Sequence, residues 1–163
     1  MNEGTMSAGR LILVCGLPGT GKTTLAQRLQ REMRAVRLCP DEWMAALGLD
    51  LWDSDTRVAI ESMQWSVAVA VLRLHGTVVI EWGLWSRVER DHLRIAARQE
   101  GAAVELRFLD APVDVLLERV RERAMEERLG SAAITREHLE QWDAALERPD
   151  ARELALFDPP DAP

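Results

Sequence analysis

The sequence predicts a three-layer α/β domain, in which a short, mostly parallel sheet carries helices on both faces. Four short apolar runs, "RLILVC", "AVRLCP", "GTVVIEW" and "AAVELRFLD", alternate with segments whose apolar residues recur at helical spacing. Strands separated by helices in this way pair in parallel through right-handed crossovers. The glycine-rich stretch "GLPGTGKT" falls between the first run and the first helical segment. No internal repeat or break in composition interrupts the 163 residues, a length that suffices for one domain with its own core.

Each element has a local reason. Residues 1–9 are small and polar, an N-terminus expected to be flexible. The first strand spans 10–15, and after the glycines "KTTLAQRLQREMR" sets Leu25, Leu29 and Met33 on one helical stripe. A second strand at 35–40 leads into "DEWMAALG", a helix stopped by Gly48. From Ser54 to Leu74 one stripe carries Val58, Trp65, Val69 and Leu72 and another Ile60, Met63, Val67 and Val71, so a long, mostly buried helix is expected. Residues 76–82 have the continuous apolar character of a parallel strand, and a helix from about Ser86 to Gln99 follows. The fourth strand is placed at 102–110, before a helix with Pro112 at its first position. Thr135 caps a last helix running to Leu146. One domain over 10–157 results, with a lid helix region at about 119–134 and a flexible tail, "DPPDAP", at 158–163.

Composition narrows the function. Apolar residues at 47% and charged residues at 29% fit a soluble globular chain. No apolar run is long enough for a bilayer, and the start lacks the layout of a signal peptide, so a cytoplasmic location and no membrane partner are expected. The net charge of -7 disfavours broad nucleic-acid binding without excluding a local basic pocket. Cys15 and Cys39 end apolar stretches and are expected to be buried, reduced thiols. His75, His92 and His138 have no partner at metal spacing and are expected at the surface or at helix ends.

"GLPGTGKT" matches G-x-x-x-x-G-K-S/T through Gly16, Gly21, Lys22 and Thr23, with Pro18, Gly19, Thr20 and Thr24 completing the loop. Glycines let the backbone N–H groups turn inward toward phosphate oxygens, and the next helix adds its positive end. Lys22 is expected to bridge the β- and γ-phosphates, and the Thr23 hydroxyl to be a ligand of Mg²⁺. The fold expected is therefore a P-loop NTPase. No guanine-specific N-K-x-D occurs, which favours ATP.

The loop, "CPDEW", "VVIEWGLWSRVERDHL" and "LDAPVDVLLERVRER" resemble small P-loop kinases of the zeta-toxin, chloramphenicol-phosphotransferase and polynucleotide-kinase group, above all predicted kinases described as AAA-type ATPases. The resemblance covers about residues 10–147. It implies that Asp41 is the base for the acceptor hydroxyl, a place that also suits a helix N-cap. Glu81 stands at the end of the third strand, where relatives often carry Asp, and would hold Mg²⁺ or the substrate. Lid arginines are implied at Arg119 and Arg123, with Arg128 one turn further on, against the alternative of a solvated Glu-Arg helix. Arg87 and Arg90 pose the same alternative, Arg87 lying nearer the expected acceptor pocket. Five of the six Trp fall between 43 and 85. Of these, Trp43, Trp82 and Trp85 are candidates for a substrate wall, whereas Trp65 belongs to packing. The base is expected near the lid helix and the stretch after "FLDAP".

The function expected is an ATP- and Mg²⁺-dependent phosphotransferase acting on a hydroxyl of a small molecule: an antibiotic, nucleoside, sugar or other metabolite. A polynucleotide 5'-hydroxyl is the alternative acceptor. An ATP-binding switch is the alternative of another class, and it has no use for a base at Asp41. Oligomeric state is not legible.

Overall fold

In β1 (Arg10–Cys15) nothing after Arg10 is charged, and a strand of that kind has to be covered on both faces. The computed structural model, which describes residues 8–125 and 134–160, places it inside a four-stranded sheet. Its neighbours are β3 (Thr77–Ile80) and β4 (Ala103–Phe108), while β2 (Val36–Leu38) lies outside β3, giving the order β2-β3-β1-β4. Every pairing is parallel, with Leu11 opposite Val78 on one side and Val104 on the other.

Alternate residues of β1 serve two cores. Leu11, Leu13 and Cys15 pack with residues of α3 (Ser54–Arg73) and α4 (Arg87–Gln99), among them Ala68, Leu72, Leu93 and Ala97. Ile12 and Val14 pack on the opposite face with Ala26 and Leu29 of α1 (Lys22–Glu32). A third cluster joins Leu17 to Leu116 and Leu117 of α5 (Val113–Met125) and Leu139 of α6 (Arg136–Ala145). Both cysteines are buried and free, and burial raises each thiol's pKa to about 12. The fold is thus the three-layer α/β arrangement expected of a P-loop NTPase. Among the described residues no helix is long and apolar enough to cross a membrane.

One expectation is corrected. Helix α3 is not mostly buried: it buries Ile60, Gln64, Ala68 and Leu72, whereas Val58, Met63 and Val67 are 64%, 59% and 38% exposed. Only one side of α3 meets the sheet, so two apolar stripes cannot both be covered. Near the ends, residues 9 and 158 make hydrogen bonds to β4. The Gly9 carbonyl accepts from Ala103 N at 2.8 Å, and Asp158 exchanges two bonds with Val104, N to O at 2.8 Å and Oδ2 from N at 2.6 Å. The Gly9 bond extends the ladder between β1 and β4, and the Asp158 bonds satisfy part of the free edge of β4. Residues 1–7 and 161–163, and the lid positions Glu126, Glu127 and Arg128, lie outside the described residues.

The chain's last part is tied down by an arginine. Besides α2 (Pro40–Ala46), the remaining helix is α7 (Ala151–Leu154), four residues that no periodicity announces. Arg90 is fully buried. Its Nε and Nη2 donate to the Glu153 carboxylate at 2.6 and 2.9 Å, and its Nη1 and Nη2 donate to the carbonyls of Leu84, Trp85 and Glu147 at 3.0, 3.2 and 2.8 Å. Leu84 has φ 52, a region leucine seldom adopts, so Arg90 holds a strained turn.

Removing one partner of such a pair leaves a buried charge uncompensated, at a cost of about 3–5 kcal/mol. Arg90→Met is therefore expected to lose about that much stability in urea unfolding, and Arg90→Met combined with Glu153→Leu less than the two single losses summed. Strictly additive losses would count against the pair.

Candidate functional site

The turn from β1 into α1 is built to receive an anion. Gly21, the N-cap of α1, is left-handed at φ 95, and no side chain caps the helix or places an acid in its first turn. The leading N–H groups are thus open to a ligand. Gly16 adopts φ 141, and a Cβ there would stand 2.2 Å from the Leu109 carbonyl oxygen, so only glycine fits. Within the loop, Thr20 Oγ1 and Lys22 Nζ donate to the Leu17 carbonyl at 2.7 and 2.9 Å. From α5, Arg119 Nη1 donates to the Gly19 carbonyl at 3.2 Å.

At the end of β3 sits Glu81, 7% exposed. Its Oε1 accepts from the Thr23 hydroxyl, and its Oε2 from Arg37 Nη1 at 2.7 Å. Arg37 Nη2 reaches on to the Glu42 carboxylate at 2.5 and 2.6 Å. Sequence reasoning missed Arg37. Its signal was a charge between Val36 and Leu38 in an otherwise apolar strand.

A cavity of about 820 Å³ opens from the loop. It brings together Gly16, Pro18, Gly19, Gly21, Lys22, Thr23, Asp41, Glu81, Trp82, Trp85 and Arg123 of the residues singled out in the sequence. Asp41 lies in the first turn of α2 and accepts from Arg57 Nη2, a partner on α3. Thr20, Thr24, Trp43, Arg87 and Arg119 do not line this cavity. Trp43 packs against the core, and Arg87 faces Asp91 one helical turn along α4. Trp82 is 7% exposed, its Nε1 donating to Gln64 Oε1 at 2.8 Å, so it serves the core as well as the wall.

Several cavity residues were not foreseen. Ser54, Arg57, Val58 and Glu61 line it from one face of α3, with the i, i+3, i+4, i+7 spacing that a sequence could have betrayed. His92, exposed as expected, lines it from α4. His138 stands at a helix end as expected, in the first turn of α6, and its ring stacks on Trp142 at 5.5 Å and lies 5.2 Å from Trp52, while Trp85 is 5.6 Å from Trp142. These aromatics join the loop after α2, the loop after β3, and α6. The stretch after "FLDAP" borders a separate cavity of about 380 Å³, lined by Asp110, Ala111, Pro112, Val113, Asp143 and Arg148.

Charge is uneven around the site. Burial lowers the Lys22 pKa to about 8, against the pull of Glu81 and Asp41. Burial raises the pKa of Glu61, an effect that Arg57 opposes and that Glu89 and Asp41 reinforce. Among the described residues no three His, Cys, Asp or Glu side chains form a metal cluster of their own. A divalent cation here would depend on phosphate oxygens for much of its shell, as Mg²⁺ commonly does.

Comparison with known proteins agrees with this architecture. A candidate kinase from Chloroflexus aurantiacus is 25% identical, with a TM-score of 0.71 over 88% of this chain and 83% of its own. A chain of an RNA repair complex is 22% identical, TM-score 0.74, over 97% of this chain, which spans 49% of that protein. A gluconokinase from Sinorhizobium meliloti shares 19% identity over 90% of this chain and 78% of its own, TM-score 0.55. No curated protein matches the sequence. The fold is that of P-loop NTPases and kinases, and over residues 11–149 the sequence matches the model of the AAA-domain family, to which the chain belongs.

Proposed function

We propose that this protein is an ATP- and Mg²⁺-dependent phosphotransferase that moves the γ-phosphoryl group to a hydroxyl of a small molecule. One observation carries the reading: Asp41 lines the same cavity as Lys22 and the loop glycines. A binder or switch has no need of a carboxylate there. The likeness to a candidate kinase and to a gluconokinase supports the same class.

In this reading Gly16, Pro18, Gly19, Thr20, Gly21 and Thr24 shape the loop, and its amides with Lys22 hold the β- and γ-phosphates. Thr23 and Glu81, hard oxygen donors already in contact, would hold Mg²⁺, which offsets phosphate charge when bound. The acceptor oxygen bonds to the γ-phosphorus, the bond to the β–γ bridging oxygen breaks, and ADP leaves. Asp41 takes the hydroxyl proton, its carboxylate oriented by Arg57. Arg123, on the cavity wall, and Arg119, tied to the loop, offset charge spreading over the transferred oxygens, with Arg128 assigned the same nucleotide side. Trp82 and Trp85 form the acceptor wall, while Trp43 and Arg87 support it from outside. The likeness to a chain of an RNA repair complex makes a 5'-hydroxyl polynucleotide the acceptor to test against.

ADP release from Mg-ATP is expected to depend on one class in a panel of nucleosides, sugars, aminated sugars, phenicols and a 5'-hydroxyl oligonucleotide. Asp41→Asn should lower kcat by about 10²-fold or more, the scale of general-base catalysis. Slow release that ignores both acceptor and substitution would leave an ATPase or switch instead.

A second expectation concerns pH. With its pKa lowered to about 8, Lys22 is charged below that pH in the free protein and neutral above it. Triphosphate favours the charged form, so binding above pH 8 must take up a proton. The Kd for Mg-ATP should be level from pH 6.5 to 7.5 and weaken by up to about tenfold per unit above 8. A Kd level to pH 9.5 would contradict this.

A further inference from the structure

The cavity changes sign along its length. At the loop end Lys22 and Arg123 contribute positive charge, and Glu81 is matched by Arg37. At the far end the facing helices α3 and α4 bring in Glu61 and Glu89, alongside Asp41. Arg57 lines that end too, but its guanidinium is bonded to Asp41 and to the Leu51 carbonyl. Among the described residues Glu61 forms no ion pair. Glu89 accepts from the backbone N–H and hydroxyl of Ser86 in the first turn of α4, with the helix N-terminus and no cationic side chain offsetting its charge among the described residues.

Two features show that a ligand, and not solvent alone, belongs against these carboxylates. The space beside them is an open chamber continuous with the phosphate loop, and its other walls are the indoles of Trp52, Trp85 and Trp142. Val58 and Val88 line it while 64% and 77% exposed among the described residues, an apolar rim to the chamber. Burial pushes the Glu61 carboxyl toward its neutral form, and the fields of Glu89 and Asp41 add to this against the pull of Arg57. A cation between the two glutamates relieves both effects, and an anion worsens them. Carboxylates beside indole rings are the combination that holds an ammonium group, by charge-assisted hydrogen bonds and by attraction to the ring face.

We propose that the acceptor is an amine-bearing alcohol with a ring or apolar face, its ammonium held by Glu61 and Glu89, and that anionic acceptors are rejected. This deepens the phosphotransferase reading and rests on it. The same carboxylates disfavour a sugar acid or a polynucleotide end.

The test measures binding and turnover separately. Glucosamine, glucose and glucuronate form a matched trio of cation, neutral and anion, and kanamycin supplies a larger aminated ring alcohol. Quenching of the cavity tryptophans should show glucosamine and kanamycin binding at least about tenfold more tightly than glucose, with glucuronate weakest, and added salt narrowing the gap. Glu61→Gln should cut the preference for glucosamine over glucose about tenfold. Glu89→Gln should act likewise; because Glu89 also caps α4, Glu61→Gln stands alone if that variant fails to fold. Glucose or glucuronate binding as tightly as glucosamine, no binding by any of the four, or a preference that survives Glu61→Gln would overturn the proposal. Amine-selective binding with no ADP release from any acceptor would uphold the pocket's cation preference and remove the phosphotransferase reading. ADP release favouring neutral or anionic acceptors would do the reverse.

Discussion

A carboxylate buried at the end of a strand must be matched, and the way Glu81 is matched sets the geometry of everything near it. Its two oxygens take one donor from Thr23, at the head of α1, and one from Arg37, in β2. The phosphate loop, the outer strand and the central strand end are thereby held in one register. Arg37 extends the chain of contacts to Glu42 in α2, the short helix that carries Asp41. The distance between the loop and Asp41 thus follows from a few charge-assisted bonds as much as from apolar packing.

The parts legible in the sequence were those whose cause is local. β1 and its loop could be read because the apolar run, the glycines and the lysine each have one physical purpose at one place. The capping box at Ser86 and Glu89 and the N-cap at Thr135 likewise depend on residues three apart. The buried side of α3 could not be read, because Val58, Met63 and Val67 are as apolar as the residues it buries, and only the sheet's position decides between them. The site divides in the same way. Lys22, Thr23, Asp41 and Glu81 stood out by motif and by strand end, while Arg37 and Arg57 act on partners far along the chain and Glu61 reaches the cavity only through the placement of α3.

The return of the C-terminal segment is the clearest case of structure that sequence hides. Four residues of helix and a run of prolines carry no periodic signal, yet Glu153 and Asp158 fix them through a buried arginine and a strand edge. Glu147 adds a link to the turn after β3, donating its N–H to the Trp85 carbonyl at 2.9 Å and accepting from Arg87 N at 2.7 Å. Two ionic contacts, Arg90 with Glu153 and Arg98 with Asp158, act here beside the packing of Phe157 on the core.

That turn, residues 84–87, is held by α4 and the returning segment, whereas the phosphate loop is held by β1, α1 and α5. The two halves of the cavity thus differ in most of their supports and meet where Gly16 N donates to the Gly83 carbonyl at 3.5 Å and Trp85 packs against the cluster of Leu17. Substitutions in 84–92 and 147–153 can reshape one wall while the residues that curl around phosphate keep their contacts. Such a division lets one scaffold diversify in what it accepts while its phosphate chemistry is inherited unchanged.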